Sequence, residues 1–240
     1  MMKLSLSLFA GALAILPTTS FAQTRSRVVI TQVKPEMMNE WIMLQRDVVL
    51  PAAKKAGLKS QTVFGGSPFG RLGEYVVVQP LGSMADYDGQ NPLVKALGQP
   101  GAARLTDSLR KCTSSQYAYM STRWDDASNI TDTPPRVIIS ARYRIAAGKA
   151  ADVRAIIKSD VLPVYKKGNV YFTVSSRGPG ANPSDITMIT GYSKFGDWDG
   201  GPYLTKALGA DAANRINAKM NGMRTLIEVV VRTRNADLSF

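Results

Sequence analysis

Read for its apolar positions, the chain alternates short β-type runs with helical periodicities, and does so twice. Arg27 to Lys34 is rich in β-branched residues and stops at Pro35, which predicts a strand. From Glu36 onward, Met37, Met38, Trp41, Ile42, Val48 and Val49 recur at helical spacing until Lys54-Lys55-Ala-Gly57, where lysines and a glycine suit a helix C-terminus. Pro51 should kink this helix, and Pro163 repeats the kink. Strands follow over about Leu58 to Phe64 and Glu74 to Gln79. Asn91-Pro92 then starts a short helix ended by Gly98, a longer piece runs to about Arg110, and a strand covers Ser114 to Arg123. The second half repeats the order, with strands near 136–145, 169–176, 184–192 and 224–234 and helices between them.

The repetition is also written in the residues. Asp86-Tyr-Asp-Gly-Gln-Asn-Pro-Leu-Val-Lys-Ala-Leu-Gly98 lies over Asp197-Trp-Asp-Gly-Gly-Pro-Tyr-Leu-Thr-Lys-Ala-Leu-Gly209 at an offset of 111, with eight identities in thirteen positions. The offset continues to Thr122-Arg123 over Thr233-Arg234. Upstream, Arg27-Val-Val-Ile matches Arg136-Val-Ile-Ile, and Val49-Leu-Pro matches Val161-Leu-Pro. The expected organisation is a unit over 23–123, a polar, proline-ended linker over 124–135, and a second unit over 136–240. Before them, a basic start, an apolar run from Leu4 to Leu16 and small residues at Ser20 and Ala22 read as a signal peptide, 1–22. That run is too short to span a bilayer, so the mature chain is expected to be exported, periplasmic or extracellular, without stable membrane insertion.

Each half reads β-α-β-β-α-β, the ferredoxin-like order. Such a unit carries helices on one sheet face only, so two of them in one chain can cover each other. Here the sequence resembles the dimeric α/β-barrel superfamily. Within it the chain is most similar to NIPSNAP-type and antibiotic-biosynthesis-monooxygenase-like domains, on the topology, the tandem repeat and the Asp-aromatic-Asp then Leu-x-Lys-Ala-Leu-Gly pattern. The resemblance implies an α+β fold: two tandem ferredoxin-like units forming an intramolecular dimeric α/β barrel. It also implies members as diverse as cofactor-free oxygenases, haem-binding enzymes, isomerases and ligand sensors. Where members use a His, this chain has none.

Composition narrows the chemistry. Zero His and one Cys remove His-dependent triads, internal disulfides and the usual zinc sets, and no cofactor or metal is expected. The Asp86-Tyr-Asp88 and Asp197-Trp-Asp199 pieces lack the later ligands of a calcium loop and read as capping turns. Cys112 corresponds to Met223 and reads as a packing thiol. The net charge of +12 is spread evenly, with no long basic run, so no nucleic-acid partner is expected.

Strand parity picks out the sheet face turned away from the helices. Its expected ligand-binding residues are Tyr117, Tyr119, Arg142, Tyr171, Glu228 and Arg232, a mixture of aromatic and hydrogen-bonding groups suited to a small organic, aromatic or anionic molecule. Cofactor-free oxidative or isomerising chemistry is one expectation, and a non-catalytic, partner-binding envelope module is the alternative. No catalytic residue is singled out. Either a monomer or a homodimer fits the sequence.

Overall fold

The computed structural model describes residues 24–66 and 68–240; the expected signal peptide lies outside the described residues. Eight antiparallel strands close into one barrel in the order β1-β3-β2-β8-β5-β7-β6-β4. In chain order the first half contributes β1 (Arg25–Val33), α1 (Met38–Leu44), α2 (Leu50–Lys55), β2 (Thr62–Gly65), β3 (Glu74–Leu81), α3 (Pro92–Cys112) and β4 (Thr113–Arg123). The second half contributes β5 (Val137–Ile145), α4 (Ala150–Ile156), α5 (Leu162–Lys167), β6 (Phe172–Arg177), β7 (Asp185–Tyr192), α6 (Tyr203–Leu208), α7 (Ala210–Lys219) and β8 (Arg224–Asn235). Strand order within the halves is β4-β1-β3-β2 and β8-β5-β7-β6. The β2·β8 and β4·β6 seams join them, so every strand has two neighbours and no edge is exposed.

At both prolines the helix is irregular in the same way. Pro51 and Pro163 sit in the first turns of α2 and α5, and each is preceded by a π-helical turn, Gln45–Val49 and Ile157–Val161. A proline has no N–H and its ring displaces the carbonyl four residues back, so one widened turn absorbs the mismatch while the helix continues. Gly98 breaks α3 with φ 70° and ψ 162°, and Gly209 separates α6 from α7 at nearly the same angles.

Strand register refines the internal correspondence. Val28 pairs with Tyr119 and Val78, whereas Ser140 pairs with Val230 and Ile189. Val28 therefore corresponds to Ser140 at an offset of 112, close to the 111 found elsewhere. The visible match of Arg27-Val-Val-Ile to Arg136-Val-Ile-Ile is shifted by three residues and would put side chains on the wrong face.

The helices cover the outside of the barrel. Trp41, Val29, Val33, Val63, Tyr75 and Val77 form the helix-facing core of the first half, with Cys112 at 0% exposure among them. Burial, then Glu40, pushes that thiol up from its ordinary value, so it should resist alkylation at neutral pH until the protein unfolds. In the second half Val153, Ile157, Val161, Tyr165, Phe172 and Val174 play the same part. The linker 124–135 is packed in its first part, to Asn129, and mostly exposed beyond it. Trp124 and Ala127 join the second core, Ser128 donates to the Trp124 carbonyl, and Asn129 bridges to Phe172. The chain end returns to the first half: Leu238 is 1% exposed in its core, and Gln61 exchanges two backbone hydrogen bonds with Phe240.

Candidate functional site

Two places in the barrel collect chemistry. The first is the lumen, where the alternation of the strands delivers most of the expected residues. Tyr119 is buried there with Val28, Ile30 and Val76, and Arg177 lies over its ring at 4.5 Å. Burial raises the Tyr119 phenol, partly offset by Arg177. Tyr117 stacks against Tyr119 at 6.4 Å and is half exposed. Across from them, Arg142 sits between Asp185 and Glu228, at 3.4 Å from each, and Arg144 also binds Asp185. Arg232 pairs with Glu74 of the other half, so the guanidinium partner of Glu228 is Arg142. Tyr171 stands apart. It precedes β6, where its carbonyl accepts from the Gly191 N–H of β7 and its hydroxyl hydrogen-bonds with Thr173, and burial raises its phenol, partly offset by that bond.

The lumen is two-sided. The first half presents an apolar and aromatic wall through Val28, Ile30, Phe64, Val76 and Tyr119. The corresponding strands of the second half present Arg142, Arg144, Thr187, Asp185 and Arg177. Much of this interior is occupied by the protein's own side chains, as a packed cluster on one wall and an ion-pair network on the other.

The second place is a cleft of about 850 Å³ between helices and sheet in the first half. Its origin is legible residue by residue. In the second half Tyr165 stacks on Phe172 at 4.2 Å and packs at a tilt against Tyr203 at 5.0 Å, and these rings, with Ile157, fill the space under the helices. The Tyr203 hydroxyl rests where a side chain on Gly168 would stand. The corresponding first-half residues are Ala53, Pro92, Gln45 and Ala56. Two tyrosines are thus missing and an isoleucine is replaced by a polar amide, and Ala53, Pro92 and Gln45 all line the opening.

A directional network runs along the cleft floor. Arg27 donates to the Gln79 carbonyl oxygen at 3.3 Å, Gln79 donates to Gln61 at 2.8 Å, and Gln61 donates to the Leu238 backbone carbonyl at 3.1 Å. Beside it Gln116 donates to the Thr31 hydroxyl at 2.8 Å. Trp41 forms an apolar wall, its ring tilted against Tyr75 at 4.4 Å. The rim carries Tyr87 and Arg110, and the lining has a single carboxylate, Asp86. That carboxylate already accepts from the Ser83 backbone N–H in a capping box, so the cleft is equipped for holding a molecule more than for taking a proton from it. Among the described residues no group of three His, Cys, Asp or Glu side chains is placed to hold a metal ion. Strand parity alone missed this cleft because it faces the helices, the side parity assigns to the core. A signal was nonetheless present: overlaying the halves shows Ala53 under Tyr165 and Pro92 under Tyr203.

No protein-family model and no curated protein sequence matches the chain. Solved structures match it in fold. A candidate monooxygenase from Lactobacillus acidophilus superposes with a TM-score of 0.57 at 9% identity, over 90% of this chain and 95% of the other. An anthrone oxidase-like protein gives 0.61 at 9% identity, over 89% and 92%. A candidate monooxygenase from Fusobacterium nucleatum gives 0.57 at 8% identity, over 89% and 93%. At such identities the likeness carries the architecture alone: this chain has the mixed α/β, eight-stranded closed barrel of these monooxygenase-like proteins.

Proposed function

We propose that this protein binds a small, partly aromatic organic molecule, and that the first-half cleft receives it. The carrying observation is the broken correspondence between the halves: the same framework is plugged by Tyr165 and Tyr203 on one side and left open by Ala53 and Pro92 on the other. An apolar Trp41 wall facing glutamine amides and Arg27 suits a planar molecule bearing carbonyl, hydroxyl or acidic groups. We read the framework itself as two tandem ferredoxin-like units, 23–123 and 136–240, forming within one chain the barrel that the dimeric α/β-barrel superfamily builds from two. In sequence pattern the units resemble NIPSNAP-type and antibiotic-biosynthesis-monooxygenase-like domains.

A second reading, cofactor-free oxidation of the bound molecule, draws on the neighbours named for monooxygenase and anthrone oxidase activity. The engaged state of Asp86 argues for the binding reading first. Export follows from the expected signal at 1–22; sequencing the N-terminus of protein recovered outside the cytoplasm should return Gln23, and an intact Met1 there would count against it. With no free sheet edge, we expect a monomer.

The test copies the second half into the first. The triple variant Ala53→Tyr, Ala56→Gly, Pro92→Tyr should weaken binding of 8-anilinonaphthalene-1-sulfonate, an aromatic fluorescent probe, by roughly tenfold or more while the far-ultraviolet spectrum is unchanged. Equal probe binding by a folded triple variant would remove the cleft from the account.

A further inference from the structure

We propose that the barrel lumen contains a separate oxyanion site, in which Arg142, Arg232 and Arg234 hold the carboxylate or phosphate of a small molecule. The observation is an excess of cationic side chains facing the lumen, part-buried except for the exposed Arg144. The lumen faces of β5, β6 and β8 carry Arg142, Arg144, Arg177, Arg232 and Arg234, and the carboxylates among them are Glu74, Asp185 and Glu228. Five positive groups meet three negative ones. The Nε atoms of Arg142, Arg232 and Arg234 are buried without a hydrogen-bond partner. Arg142 and Arg232 use their terminal nitrogens on Asp185, Glu228 and Glu74. The Arg234 guanidinium forms no ion pair among the described residues, and its Nε has no acceptor.

A buried N–H without an acceptor is costly, and a ligand oxyanion would supply the acceptor that these three Nε atoms lack. The Nε edge is also chemically apt. With one terminal nitrogen it forms the planar fork that binds an oxyanion through two parallel hydrogen bonds. Arg232 and Arg234 are two residues apart on the same face of β8, and Arg234 pairs opposite Phe64 of the apolar wall. Arg142 and Arg232 both act on the Tyr119 phenol across the lumen. An entry is visible in the exposures: side chains are 47% exposed at Arg144, 28% at Arg142 and 12% at Arg232, so the lumen opens where β5 ends and closes inward. Glu228, 35% exposed beside Arg142, competes for the same guanidinium.

The test is thermal melting and isothermal titration with inorganic phosphate and, separately, benzoate, against chloride at matched ionic strength. The parent should bind at least one of the two oxyanions; phosphate alone assigns a phosphate ligand, and benzoate alone a carboxylate. Arg234→Met removes an unpartnered, part-buried guanidinium, so it should melt no lower than the parent in chloride yet bind the anion roughly tenfold more weakly. Glu228→Gln should bind it more tightly, by a similar factor, because a competing carboxylate is gone. A parent indifferent to both anions, or binding unchanged by Arg234→Met, would overturn the site. The cleft-filling triple variant should retain the anion response, so failure of one site is distinguishable from failure of the other.

Discussion

Removing the five residues after Asn235 is expected to lower the melting temperature by about 10 °C or more. Leu238 is 1% exposed in the first-half core, packed with Trp41 and Val63, and deleting a buried leucine side chain costs about 2–5 kcal/mol. The truncation also strips Gln61 of both backbone partners on Phe240, at roughly 1 kcal/mol each. For a chain of this size each kcal/mol corresponds to about 2–4 °C. Leu238→Ala alone should account for about half of the drop. Function should fall with stability, because the Gln61 amide that anchors the cleft network donates to the Leu238 carbonyl. A calorimetric scan within about 2 °C of the full-length chain would show that the tail is an ornament and that Trp41 is held by the helices alone.

Gly180→Ala is expected to cost about 2–4 kcal/mol through backbone alone. Gly180 has φ +91°, and a Cβ there would stand 2.2 Å from the Ala118 carbonyl oxygen and 3.0 Å from the Tyr119 Cα. The β6–β7 loop crosses β4 at this point, where Met120 donates to Pro179 and Gly178 donates back to Met120. A methyl group must push that loop off the strand, opening the β4·β6 seam that closes the barrel and lifting Arg177 from the Tyr119 ring. Gly148→Ala is the matched control: φ is +73° and nothing lies within 4 Å of the added carbon, so only the conformational cost of about 1 kcal/mol remains. Denaturant unfolding of the two variants should separate them clearly. Equal losses would mean that the seam has room to spare.

These two sites show where sequence patterning is informative and where it stops. Alternation and helical spacing located all eight strands to within a few residues, since each is bounded by proline, glycine or a polar turn. Parity also brought Tyr117, Tyr119, Arg142, Glu228 and Arg232 to one lumen. Tyr171 escaped because β6 begins only at Phe172, which leaves that ring at the barrel end. The β2·β8 and β4·β6 seams carry no local signature, being pairings between residues over 50 apart. The similarity at Arg27-Val-Val-Ile misled by three residues, as β-branched strands resemble one another in many registers. The cleft was hidden for another reason: an opening is made by what is absent, Ala53 and Pro92 in place of two tyrosines, and absence is seen only by comparing the halves.

Hydrogen–deuterium exchange with and without a bound aromatic ligand tests the central claim most directly, because it reports where the molecule sits. The account predicts slowed exchange in the first half, across residues 38–55 and 84–116, with β5 and β8 unchanged. Protection confined to β5 and β8, with the first-half helices exchanging as before, would contradict it.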